Sequence, residues 1–106
     1  MSRTLQLTES AEQDLAEIWS YIAEEASDTI ATRFVGKLYA TCEGLLAFPL
    51  AHPERRQLGP NLRVVFHGAY AIYYQPEADT VTIIRVLHGA RDLGMIADQG
   101  GFIPES

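Results

Sequence analysis

Val81-Thr82-Ile83-Ile84-Arg85-Val86-Leu87-His88-Gly89-Ala90-Arg91-Asp92 is the stretch that decides the fold. Val81, Thr82, Ile83, Ile84 and Val86 are β-branched and suit a pleated backbone. Apolar side chains fall on both parities of the run, which predicts a strand buried on both faces and so central in its sheet. Arg85 shares parity with Val81, Ile83 and Leu87, so its guanidinium must find a carboxylate or emerge at a rim, because an unpaired buried charge is costly. Gly89 then ends the strand among polar residues.

Working upstream, residues 62–67 form a β-rich run, Gly68-Ala69 suits a tight turn, residues 70–74 read as a second strand, and Gln75 to Thr80 with Pro76 read as the next turn. Such short connections make three antiparallel neighbours. Residues 49–61 hold Pro49, Pro53, Gly59 and Pro60 beside Glu54, Arg55 and Arg56, a loop composition. Before them, Ile30, Phe34, Leu38, Cys42 and Leu45 recur at helical spacing, with Ser27-Asp28 as caps. Pro49 disfavours helical angles at Phe48, so this helix is expected to end by about Ala47.

An earlier helix carries Ala11, Leu15, Ile18 and Ile22 on one stripe, with Glu12, Asp14, Glu17 and Glu24 mostly off it and Thr8 as N-cap. Leu5 and Leu7 alternate with polar neighbours, as in a short strand at or near a sheet edge. The order is β-α-α-β-β-β. It predicts an α+β fold in which a helical hairpin packs on a small antiparallel sheet. One domain is expected over residues 1–93, because 106 residues cannot supply two cores. The tail 94–106, with Gly100-Gly101, Phe102-Ile103 and Pro104, lacks periodicity and is expected to be mobile or held by a partner.

The single cysteine, Cys42, excludes an intrachain disulfide, and neither it nor the scattered histidines show metal-ligand spacing. There is no charged-then-apolar leader at Met1 and no run approaching the roughly 20 apolar residues of a membrane span, so a cytoplasmic protein is expected. No glycine-rich strand-to-helix loop implies a nucleotide, and no cofactor is expected. The net charge of −6 repels nucleic acid as a whole. It is unevenly placed: up to Asp28 seven carboxylates face Arg3 alone, whereas from Arg55 to Arg91 five arginines face Glu77 and Asp79. A solvated helix surface and a functional polarity both fit that split.

The segment Val86 to Asp92, preceded by Tyr70-Ala71-Ile72-Tyr73-Tyr74 and by Leu58-Gly59-Pro60-Asn61-Leu62-Arg63, resembles the C-terminal half of ParE toxins, of the RelE/ParE superfamily of toxin-antitoxin systems. Leu7-Thr8-Glu9-Ser10-Ala11-Glu12-Gln13-Asp14-Leu15-Ala16-Glu17-Ile18-Trp19-Ser20-Tyr21-Ile22-Ala23 resembles the N-terminal half. The similarity covers roughly residues 4 to 93 in order, and it agrees with the fold read from the residues.

The resemblance implies a bacterial toxin that binds DNA gyrase and blocks its DNA-bound state without catalysing a reaction. It also implies a hetero-oligomer with a ParD-like antitoxin, whose ribbon-helix-helix half binds DNA and whose disordered half folds onto the toxin. No sequence-specific nucleic-acid contact and no membrane contact by this chain is expected. Candidate contacts with antitoxin or target are Trp19, Arg63, Tyr73, Arg85, His88, Arg91 and Asp92.

Two alternatives stand beside this. RelE-type members of the superfamily are ribosome-dependent mRNA nucleases, and Arg63, His88 and Arg91 supply the residue types for attack by a 2′-hydroxyl: a histidine to move the proton and cations for the phosphate. A toxin-like module without activity, serving only as a binding partner, is the other. The acidic total disfavours the nuclease, and Arg91 paired with Asp92 at the strand end serves equally well as an anchor.

Overall fold

The computed structural model describes residues 3–89. In chain order these are β1 (Thr4–Leu7), α1 (Glu9–Glu25), α2 (Asp28–Gly44), β2 (Arg63–His67), β3 (Tyr70–Pro76) and β4 (Thr80–His88). The expected β-α-α-β-β-β order holds, with β4 central. The tail, Arg91 and Asp92 lie outside the described residues.

Local chemistry sets the helix starts. Thr8 ends β1 and caps α1, its hydroxyl accepting from Ala11 N at 3.0 Å, while Glu9 and Glu12 complement the positive end of the helix dipole. Ser27 does the same for α2, accepting from Ile30 N at 3.1 Å. Only Ala26 and Ser27 separate the helices, so they return against each other as a hairpin. α2 ends at Gly44, and residues 45–47 tighten into turns that bond three residues back, as in Leu46 N to Glu43 O at 3.1 Å.

The sheet order is β1-β4-β3-β2. β2, β3 and β4 form the expected antiparallel meander, turned at its first corner by Gly68, whose φ of 59° is the left-handed conformation that glycine adopts cheaply. β1 departs from the expected antiparallel sheet. It runs parallel to β4, from Thr4 opposite Thr80 to Leu7 opposite Ile83, so the sheet is mixed. The reason is the connection: β1 reaches the meander through two helices and a long loop, a crossover that permits parallel pairing where a tight turn forbids it.

A β-bulge sits in the central strand. Tyr73 pairs with Arg85 but the next residue, Tyr74, pairs with Ile83, leaving Ile84 as an extra residue in β4. One extra residue reverses the side-chain parity downstream. Val81, Ile83 and Val86 therefore join the core under the helices, with Leu15, Ile18, Leu38, Cys42 and Leu45. Ile84 and Leu87 fall on the other face, with Val64, Ala71 and Tyr73 under Leu58 and Leu62 from the loop. Leu87 and Ile83, which strict alternation places together, are on opposite faces.

Burial pushes the Cys42 thiol up to about 11, with Glu43 adding to the rise. Its neutral form is thus favoured by folding; this contribution is present below pH 9 and is lost as pH rises toward 11. Native protein at about pH 8 is expected to resist thiol reagents, with labelling appearing only on denaturation. Leu38 is fully buried between the helices and the sheet. Leu38→Ala is expected to lower stability by about 2 to 5 kcal/mol in urea denaturation.

Candidate functional site

β1 stops at Leu7, opposite Ile83, but β4 runs on to His88. That leaves β4 with backbone groups on its β1 side and no strand to meet them. Residues at the start of α1 supply the partners. Thr8 N donates to Ile83 O at 3.0 Å, and the Thr8 hydroxyl donates to Ile84 O at 2.8 Å. Six residues on, Asp14 accepts from Val86 N at 3.0 Å. The same carboxylate receives Arg85 in a fork, Nε at 2.8 Å and Nη2 at 2.9 Å. Arg85 thus finds the carboxylate that its position required, and it joins the middle of the sheet to α1.

Asp14 is 7% exposed, although it was expected off the buried stripe. Its spacing contained the signal: it stands three residues after Ala11 and four before Ile18, which is stripe geometry with a carboxylate in place of an apolar side chain.

The other candidates are spread out. Trp19 is half-buried, its indole donating to Thr32 Oγ1 at 3.1 Å and linking the helices near their turn. Tyr73, expected as a contact, is 1% exposed within the outer-face core. Its bulky ring is consumed by packing, and burial raises its phenol pKa although Arg55 pulls it down.

Arg63 begins β2 and points at the loop. Nη1 donates to His52 O at 2.8 Å and Nη2 lies 3.9 Å from Glu54 Oε1, while the buried Nε has no partner. His88 ends β4 and stacks edge-on against Tyr70 with ring centroids 5.6 Å apart. Tyr70 in turn meets Phe34, and Phe34 meets His67, whose Nδ1 is 3.3 Å from Thr41 Oγ1.

These placements bear on the proposed nuclease set. Register puts Arg63 beside Tyr74 and, across β3, Ile83; it puts His67 beside Tyr70 and His88. Four residues of strand separate the two rows, about 13 Å at ~3.3 Å per residue, before the width of the sheet is added. A base and a phosphate-binding cation must both reach one nucleotide within hydrogen-bonding distance. Register thus places Arg63 and His88 in different rows of the sheet, and Arg91, the third member of that set, lies outside the described residues. Among the described residues no group of three histidine, cysteine or carboxylate side chains is arranged to hold a metal, and no helix is long and apolar enough to cross a membrane.

What the surface does offer is large apolar side chains: Tyr21 and Ile30 near the hairpin turn, Tyr39 on α2, Phe48 and Leu50 in the loop, and Phe66 on β2. Their signal in the sequence was weak, since Ile30 fits the apolar stripe of α2 and Phe48 and Leu50 flank a proline.

A family model described as ParE toxin of type II toxin-antitoxin system, parDE, matches residues 5–93. Among solved structures, the chromosomal ParDE toxin-antitoxin system from P. aeruginosa superposes with a TM-score of 0.72 at 16% identity, over 82% of this chain and 96% of that one. The RelBE2 toxin-antitoxin complex from Mycobacterium tuberculosis gives 0.64 at 21% identity, over 83% and 99%. At such identities these likenesses establish the fold. No curated protein matches the chain.

Removing the Asp14 carboxylate leaves both Arg85 and the Val86 amide without their acceptor. Asp14→Ala is expected to cost about 3 kcal/mol in chemical denaturation, the range for breaking a mostly buried ion pair from one side. Hydrogen exchange at the Val86 amide is expected to rise in the same variant.

Proposed function

The chain belongs to the ParE toxin family of type II toxin-antitoxin systems, and from that membership we propose that it arrests growth by binding DNA gyrase, and that a ParD-like antitoxin neutralises it. The observation that carries the non-catalytic reading is the separation of Arg63 from His88 at opposite ends of the sheet. A nuclease needs its cation and its proton-transfer group at one phosphate. Here Arg63 is spent on the loop and Arg85 on Asp14.

The antitoxin has a suitable seat at the hairpin end of the molecule. Trp19, Tyr21 and Ile30 offer apolar contact there, and the aromatic row of Phe34, Tyr70 and His88 lies at the same end of the sheet. An amphipathic segment that orders on binding would cover such a surface. The net charge of −6 fits a protein target better than a direct hold on nucleic acid. Gyrase as target places the site of action in the bacterial cytoplasm.

The test is supercoiling by purified gyrase with the purified chain present and double-strand cleavage products trapped. Inhibition with accumulating cleaved DNA, reversed by antitoxin, is expected. Folded protein that arrests growth but leaves gyrase untouched would redirect the search to ribosome-bound mRNA, and protein that arrests nothing would leave a binding module. His88→Ala and Arg63→Ala, if folded, are each expected to keep growth arrest within about threefold of the parent; losses of about 100-fold or more, typical of a missing proton-transfer group, would favour the nuclease.

A further inference from the structure

The loop between α2 and β2 is irregular in its dihedrals but firmly held. Four of its carbonyls are bound by groups from the sheet: Leu46 O by Arg3 Nη1 at 3.1 Å, Pro49 O by the Tyr74 hydroxyl at 2.8 Å, His52 O by Arg63 Nη1 at 2.8 Å, and Pro53 O by Val64 N at 3.2 Å. Within it, Ala51 N bonds back to Phe48 O at 3.2 Å, closing a turn with Pro49 at the position where a fixed φ favours turning. Pro49 is buried, and the His52 ring stacks edge-on against the same Tyr74.

The side chains flanking Pro49 point outward. Phe48 is 72% exposed and Leu50 66%, more than any other large apolar residue described. Ordinary loops carry polar residues at such positions; a pinned turn that presents two bulky apolar groups has little entropy to lose when something covers them.

The surrounding charge narrows what that is. Between residues 46 and 63 the chain carries Arg55, Arg56 and Arg63 against Glu54 alone, in a protein of net charge −6. Arg56 stays exposed even while it pairs with Glu54 at 3.2 Å. The patch therefore suits an apolar pocket rimmed by carboxylates. It also lies away from the hairpin turn: Pro49 and His52 are held by Tyr74 and Arg63, paired in one row of the sheet, whereas Tyr70 and His88 mark a row about 13 Å along the strands at ~3.3 Å per residue.

We infer that the turn at residues 48–51 is the contact by which this chain seizes its protein target, Phe48 and Leu50 entering an apolar pocket whose acidic rim meets Arg56. The inference rests on the toxin reading above and separates a target-binding end from an antitoxin-binding end.

The experiment compares parent, the double variant Phe48→Ser with Leu50→Ser, Arg56→Glu and Arg56→Lys. Growth arrest is titrated by inducer, capture of the adjacent reading frame's product is measured on purified protein, and sedimentation gives the oligomeric state. The double variant is expected to melt like the parent, to capture that product equally well and to lose about 30-fold or more in potency, as truncation of interface anchors does. Arg56→Glu is expected to lose about fivefold, and Arg56→Lys to stay within about twofold of the parent. Full toxicity of the folded double variant overturns the inference. So does selective loss of capture, which would make the turn an antitoxin contact, or conversion of a parental dimer to monomer, which would make it a self-association surface. A parent that arrests no growth overturns the toxin reading itself, and this inference with it.

Discussion

The Asp14 carboxylate is where the two halves of this fold are joined. β4 is longer than β1, and the chain cannot extend β1 because Thr8 must turn it into α1. The surplus of β4 would present unpaired backbone at the middle of the molecule, a cost comparable to a lost hydrogen bond for each group left dry. Asp14 meets that need with two oxygens: one takes Val86 N together with Arg85 Nε, the other takes Arg85 Nη2. A carboxylate at this position needs a cation, and Arg85 needs a carboxylate, so each residue resolves the burial problem of the other. The pairing also fixes α1 across the sheet, and with α1 the seat of the whole hairpin.

The bulge at Ile84 belongs to the same solution. Without the extra residue, strict alternation would send Val86 away from the helices and Leu87 toward them. With it, Val86 completes the core beneath α1 while Ile84 and Leu87 close the outer face with Leu58 and Leu62. The outer face has a loop for a lid in place of a second layer of helices. A loop can serve only if its polar backbone is satisfied: Gln75 donates to Pro60 O and Asn61 to Pro76 O beside the lid, while Arg3, Tyr74, Arg63 and Val64 hold carbonyls earlier in the loop. Burial raises the Tyr74 phenol pKa, against a smaller opposing pull from Arg63, so this donor keeps its proton to higher pH than a free phenol.

These arrangements give Arg63 and Arg85 structural partners. Arg63 holds the loop, Arg85 holds α1, and the histidines at the far end of the sheet sit against aromatic rings. Among the described residues, large apolar side chains are exposed near the hairpin turn and at the turn around Pro49, and also at Tyr39 and Phe66.

Much of the scaffold follows from local chemistry, and was legible as such. Hydroxyl caps at Thr8 and Ser27, apolar stripes at helical spacing, the Gly68 turn and the β-branched run of β4 depend on residues only a few positions apart, so the sequence alone determines the order of elements, the central strand, the hairpin and the family resemblance. Arg85's need for a carboxylate was equally plain. Which carboxylate answers it was not, because Asp14 lies 71 residues away and only the folded chain brings α1 beside β4. The parallel pairing of β1, the parity reversal at Ile84, the burial of Tyr73 and the distance between Arg63 and His88 were likewise decided by tertiary structure. Each depends on register between strands remote in sequence, and register is set by packing energy across the whole core, which no local pattern contains.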